Sequence, residues 1–264
     1  MTRRITRLGA GTIERAEDRV AVEGALEIRV DGRPLAVTLR TPGHDRELAL
    51  GFLAGEGVIR RADEIAGIRE VAADCADQPD AVEIALAPGV RLDWTRLERH
   101  FAASSACGLC GRAHLESLRA GLTPMPRGAA LHPAALEALP ERLEGAQEAF
   151  AATGGIHAAA YCDGSLAVRA LREDVGRHNA VDKVAGRLLE DGRYPAGTGL
   201  LWVSGRAGAE IVLKAARARI PVLCAVGAPS SLAIELAEAA GMTLIGFLRR
   251  GRMNVYCGAE RLGA

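Results

Sequence analysis

From Ile156 onward the chain alternates short apolar runs with amphipathic segments of helical length, and this alternation restricts the fold more than any other feature. Leu200 to Val203, Val222 to Val226 and Thr243 to Phe247 read as strands, separated by helices near Ala207 to Arg219 and Ser230 to Ala240. Strands spaced by helices of this length join through right-handed βαβ crossovers, because a twisted strand feeding a right-handed helix packs back onto its sheet in one sense only. A hairpin from Ile156 to Cys162 and Ser165 to Ala170, turned at Asp163-Gly164, precedes them, with a helix from about Arg177 to Leu189 between. A last strand is expected at Met253 to Cys257. The fold class is therefore α/β (α+β overall), with a three-layer domain over residues 131–264 whose mainly parallel sheet lies between helical layers.

The first 98 residues read as a small mixed unit. Ala25 to Val30 and Pro34 to Arg40 form a hairpin through Asp31-Gly32. Thr41-Pro42-Gly43-His44 then breaks the strand, Asp45 is placed to cap a helix, and Leu48, Phe52 and Leu53 give it an apolar face before Gly55 and Gly57 end it. Ile68 to Ala73 and Val82 to Leu86 are two more strands, while the first fifteen residues carry no signal. Residues 99–130 loosen into small side chains and Thr123-Pro124-Met125-Pro126, the composition of a connecting loop. Pro133 to Phe150 suggests one or two helices broken near Pro140.

Acidic and basic residues balance at 33 each, so nothing global draws the chain to nucleic acid or to a membrane, and neither is expected as a partner. No apolar run approaches the roughly 18 to 20 residues that span a bilayer, and no secretory signal opens the chain, so a cytoplasmic protein is expected. Cys75, Cys162, Cys224 and Cys257 lie scattered and are expected as buried thiols of a reducing compartment.

Two features carry chemistry. Ser104-Ser105-Ala106-Cys107-Gly108-Leu109-Cys110-Gly111-Arg112 sets two thiols three positions apart, with glycines that free the backbone and an arginine that favours thiolate. Such a pair serves as a redox dithiol, as half of a zinc site, or as a persulfide carrier. The second feature is a set of loops at the carboxyl ends of the parallel strands, where ligands of such sheets gather. Ser204-Gly205-Arg206-Ala207-Gly208 outlines a phosphate cradle, Gly227-Ala228-Pro229-Ser230-Ser231 places hydroxyls for capping or for a second anion, and Leu248-Arg249-Arg250-Gly251-Arg252 groups three cations around a glycine. Upstream, Gly154-Gly155-Ile156-His157 enters a strand, where His157 is either a core histidine or a ligand. Arg172 to Lys183 packs more ionisable side chains around Gly176 than capping needs, although Asp182 and Lys183 can simply face solvent.

In this order, a serine-preceded CxxC, GGxH, EDVGRHNAxDK, SGR and FxRxGRxN, these motifs resemble those of the formate dehydrogenase accessory sulfurtransferase family (FdhD), across Ser104 to Asn254. The resemblance implies that Cys107 holds a persulfide, with Cys110 as its partner. It also implies that Phe247, Leu248, Arg249, Arg250, Gly251 and Arg252 contact the molybdenum bis(molybdopterin guanine dinucleotide) cofactor as cargo. Ser204, Gly205, Arg206, His157, Arg177 and His178 are counted with them as cofactor-binding residues, and no structural metal is expected. The family's carboxy-terminal domain is cytidine-deaminase-like, its members form homodimers, a cysteine desulfurase supplies the sulfur, and formate dehydrogenase receives the cofactor. Two other readings remain: a molybdenum-cofactor chaperone without sulfur transfer, and a zinc deaminase built on the CxxC with His114-Leu115-Glu116. Against the latter, the HxE of zinc deaminases precedes a proline-led CxxC, whereas here it comes after one led by alanine.

Overall fold

The computed structural model describes residues 1–9, 11–73, 75, 78–92, 94, 121–126 and 131–263. Cys107, Cys110 and the His114-Leu115-Glu116 alternative lie outside the described residues. Strands β1 (Thr2–Gly9) and β2 (Thr12–Arg19) form a separate hairpin. It escapes a sequence reading because it has no apolar stripe: only Ile5 and Ala16 along its length are half-buried. Next come β3 (Gly24–Val30), β4 (Arg33–Arg40), helix α1 (Asp45–Gly55), β5 (Ile65–Val71) and β6 (Asp80–Leu86). These strands make a four-stranded sheet in the order β4-β3-β6-β5. Asp45 does not cap α1: His44 takes the cap position with φ 59°, and Asp45, the first helical residue, pairs with the buried Arg40 at 2.6 Å.

The second sheet runs β12-β11-β10-β9-β7-β8. Its strands are β7 (His157–Cys162), β8 (Val168–Asp174), β9 (Leu200–Val203), β10 (Val222–Ala225), β11 (Thr243–Arg249) and β12 (Arg252–Cys257). Parallel pairing is confined to the centre, β9 with β10 and β10 with β11. The flanks are antiparallel because β7–β8 and β11–β12 are joined by turns too short for a crossover. The sheet is thus mixed, with a parallel heart where the sequence predicts one.

Alternate side chains of β9 face opposite layers. Leu200 and Trp202 pack on α2 (Pro133–Glu137) and α3 (Leu139–Glu144) through Leu136, Leu139 and Leu143. Leu201 and Val203 face α5 (Arg177–Glu190), α6 (Ala209–Arg217) and α7 (Ser231–Ala239). Short α4 (Glu148–Thr153) leads into β7. The break expected near Pro140 falls at Ala138, between α2 and α3, and Pro140 lies in the first turn of α3, where its missing N–H leaves no bond unmade.

The core under α5 continues through Leu48 and Leu53 of α1 to Leu26, Ile28, Val82 and Ile84 of the four-stranded sheet. Helices α1 and α5 cross backbone to backbone: a Cβ on Gly51 would lie 1.7 Å from the Asp182 carbonyl oxygen, and one on Gly186 would lie 1.8 Å from that of Glu47. Only glycine permits this approach.

Candidate functional site

Because β7 runs against β9, the start of β7, the end of β8 and the amino end of α5 share one sheet edge with the carboxyl ends of β9, β10 and β11. The convergence expected from the topology is therefore present. Ser204 is tied down, its Oγ accepting from the Ala158 amide at 2.9 Å and its own amide donating to the Ala158 carbonyl at 2.9 Å. Its hydroxyl oxygen thus fixes the loop. The loops after β9 and β10 then lock together, Gly227 N–H to Gly205 O at 2.9 Å and Ala207 N–H to Ala228 O at 3.2 Å. A Cβ on Gly227 would sit 2.9 Å from both the Gly205 oxygen and the Arg206 Cα, so this contact requires glycine. The amides of Gly205, Arg206 and Gly208 make no backbone bond among the described residues, which leaves a smaller cradle than the sequence outlines.

His157 and Arg177 close in on this loop. The His157 Nδ1 lies 3.4 Å, and the Arg177 Cβ 3.9 Å, from where a Cβ on Gly205 would be. Burial, and then the Arg177 charge, push the His157 imidazole below its ordinary value. His178, one residue further along α5, brings its Nε2 to 3.1 Å from the Glu210 carboxylate at the start of α6. Burial, and after it the charges of Arg177 and Lys214, lowers His178 to about 4.

At the end of β11, Phe247 is 42% exposed and has φ 52°, a left-handed conformation that a bulky side chain adopts only under constraint. The constraint is a ladder irregularity between Gly246 and Arg249, together with the Phe247 amide donating to Gly227 O at 3.1 Å. Leu248, expected among the cargo contacts, is withdrawn from the edge, its side chain wholly buried in the core shared with α3. Arg249 bridges the Val226 and Leu248 carbonyls at 2.7 and 2.9 Å, so it holds the turn. Exposed Arg250 pairs with Glu141 of α3 at 3.0 Å, and Gly251 turns the chain at φ 71°. Arg206 and Arg252 are exposed, Arg177 is half-buried, and none of the three forms an ion pair with a described residue. Ser230 accepts from the Ala233 amide at 3.2 Å and is the cap of α7.

The rest of EDVGRHNAxDK has another use. Asp182 and Lys183 do not face solvent: they are 2% and 1% exposed. Lys183 meets Asp174 at 2.7 Å and the Thr41 carbonyl at 2.8 Å, while Asp174 also accepts from the Thr41, Gly176 and Asn179 nitrogens. Asp182 holds Lys214 at 2.7 Å. The motif thus divides, Asp174, Asn179, Asp182 and Lys183 seating α5 against α6 and the end of β4, and Arg177 with His178 left at the crevice. Among the other thiols, Cys162 and Cys224 are buried as expected, whereas Cys75 is exposed and Cys257 half-buried. Sequence reading passes over Glu210, because an acid in the first turn of a helix is ordinary and its histidine partner lies 32 residues away.

These features define a mixed α/β protein with a three-layer domain and, at its strand ends, an edge where Arg177, Arg206, Arg252 and the exposed Phe247 gather. The family model described as FdhD/NarQ family matches residues 21–263, and the chain belongs to that family. It is 46% identical to the sulfur carrier protein FdhD of Streptomyces avermitilis over 98% of this chain and 94% of the relative. With the sulfur carrier protein FdhD of Mycolicibacterium paratuberculosis it shares 46% identity over 99% and 98% of the two chains. The crystal structure of a Desulfotalea psychrophila protein described as a putative formate dehydrogenase accessory protein superposes with TM-score 0.78 at 24% identity, covering 100% of this chain and 99% of that one, and establishes the fold. No helix among the described residues is long and apolar enough to cross a membrane.

Proposed function

We propose that this chain is a sulfur carrier that takes sulfur from a cysteine desulfurase as a Cys107 persulfide and transfers it to the molybdenum bis(molybdopterin guanine dinucleotide) cofactor, before that cofactor enters formate dehydrogenase. On this reading the chain is needed for formate dehydrogenase activity and works in the cytoplasm as a homodimer. The observation that carries it is the sheet edge at the strand ends, where Arg177, Arg206 and Arg252 lack carboxylate partners among the described residues and Phe247 is constrained and exposed. Arginine forks suit diphosphates and an aromatic face suits a nucleobase, the two parts a guanine dinucleotide presents. The names of its near-full-length relatives support the sulfur step.

In that step the Cys107 thiolate attacks the terminal sulfur of the donor's persulfide, the donor cysteine leaves as thiolate, and Cys107 keeps the sulfane sulfur. Arg112 favours the thiolate. Onward transfer breaks the S–S bond with Cys107 leaving as thiolate, and the sulfane sulfur takes two electrons from a tetravalent molybdenum centre, which becomes hexavalent, to bind as its sulfido ligand, while the arginines hold the guanine and diphosphate groups. Chain length permits the meeting: Cys107 is thirteen residues from Trp94 and fourteen from Gly121. At about 3.3 Å per extended residue either tether exceeds 40 Å, against about 23 Å for a seven-residue strand such as β11.

Cys107→Ser is expected to abolish sulfur transfer and spare cofactor binding, and Arg252→Ala to do the reverse, read by persulfide mass mapping and by cofactor co-purification. Active formate dehydrogenase in cells whose sole copy is Cys107→Ser would overturn the scheme. Normal activity without a persulfide would leave the chaperone reading.

A further inference from the structure

Downstream of the CxxC motif, Thr123-Pro124-Met125-Pro126 is gripped by two arginines through all four of its carbonyls. Thr123 and Pro124 accept from the Arg219 guanidinium at 2.6 and 3.4 Å, and Met125 and Pro126 from Nη2 of the buried Arg261 at 3.3 and 2.7 Å. The Met125 amide donates to the Ala240 carbonyl at 2.9 Å, and its side chain is buried in the core. Arg219 makes its contacts from a position just past α6 with φ 56°, a conformation that glycine takes up without strain. Gly241 lets the segment come close, since a Cβ there would stand 3.3 Å from both the nitrogen and the oxygen of Met125.

This grip lies across the sheet from the cargo residues. Arg219 precedes β10 and Ala240 precedes β11, which puts it at the amino ends of these strands, whereas Phe247 and Arg252 stand where β11 ends. Seven-residue β11 spans about 23 Å. Cys107 is sixteen residues from Thr123, and a tether of that length has a root-mean-square reach of about 22 Å. A tethered group reaches its greatest effective concentration when reach matches span, and beyond that the concentration falls roughly as the −3/2 power of length.

Resting on the carrier reading of Cys107, we propose that Arg219 and Arg261 are positioning residues for sulfur transfer. They fix where the Cys107 segment starts, and so match its reach to the strand-end edge. Without their grip the next hold among the described residues is Leu131, whose amide donates to the Arg261 carbonyl at 2.8 Å, twenty-four residues from Cys107.

Two variants of the full-length protein, loaded by a cysteine desulfurase and cysteine, test this. Arg219→Gly with Arg261→Gln opens the grip, the glycine relieving the left-handed strain. A sixteen-residue Gly/Ser insertion between Gly121 and Leu122 keeps the grip and doubles the tether. Loss of the added sulfur from Cys107 is timed by mass spectrometry with the molybdenum cofactor bound, and separately with cyanide. Cyanide needs no positioning: its carbon takes the terminal sulfur as thiocyanate while Cys107 leaves as thiolate. Transfer to the cofactor is expected to slow about twofold with the grip opened and about threefold with the insertion, cyanide discharge being unchanged in both. A merely structural grip would lower the thermal midpoint and leave the ratio of the two rates as in the wild type, which overturns the proposal. An insertion without effect on that ratio overturns it too, and this variant decides the matter if the opened grip fails to fold. If Cys107 of the wild type gains no sulfur, the carrier reading itself fails and takes the proposal with it.

Discussion

Five arginines at the sheet edge differ by their partners rather than by their position. Arg249 is committed to two carbonyls and Arg250 to Glu141, whereas Arg177, Arg206 and Arg252 form no ion pair with a described residue and are the ones proposed to hold the ligand. Replacing Arg206 by alanine is therefore expected to weaken GDP binding about tenfold, with less loss at high salt, as screening demands. Arg249→Ala should instead lower the thermal midpoint, because it strips the Val226 carbonyl of its donor. His178 gives the crevice a pH signature. Its folded value, about 4, lies below its ordinary 6.5, so on acidification the unfolded chain takes up this proton first. Stability present above pH 6.5 is lost as the pH falls through 6.5 toward 4, and His178→Gln should flatten that part of the stability profile. The thiols separate as well. Burial pushes Cys162 up to about 11 and Cys224 higher still, so iodoacetamide at about pH 8 should label exposed Cys75 and spare both; rapid labelling of Cys224 would contradict its place in the core.

Elements are placed by glycines and buried ions. Gly51→Ala would drive a methyl group into the Asp182 carbonyl, forcing α1 off α5 at a cost of about 3 kcal/mol or more, read by denaturant unfolding. Lys183→Met would leave Asp174 buried without its cation, with an expected loss of about 3 to 5 kcal/mol. These two contacts also mark where sequence reading ends. Strands and helices from Ile156 to Cys257 are legible because apolar runs, turn pairs and helix lengths are local signals, and the positions of Ser204, Gly227 and Arg252 at one edge come from chain order. Glu210 meeting His178, and Asp182 meeting Lys214, are not legible, since each joins residues 32 positions apart whose types are commonplace on helix surfaces. The hairpin of β1 and β2 is invisible for a different reason: its stability rests on backbone pairing, not on an apolar pattern.

At the scale of the whole molecule, one apolar core joins the four-stranded sheet to the helical face of the six-stranded sheet. The two sheets should therefore melt in a single calorimetric transition, and two resolved transitions would show that the α1–α5 crossing does not couple them. That coupling holds the end of β4, at Thr41, against Asp174 and Lys183, a few residues from the arginine and histidine that reach the crevice. On the proposed function, cargo binding at the strand ends and sulfur carriage by Cys107 are two duties of one chain. The measurement that tests their combination most directly is peptide mass mapping after incubation with a cysteine desulfurase and cysteine, with Cys107→Ser as control. One added sulfur on Cys107, absent from the control, is the predicted result; a chain that binds the molybdenum cofactor yet gains no sulfur from any desulfurase would contradict it.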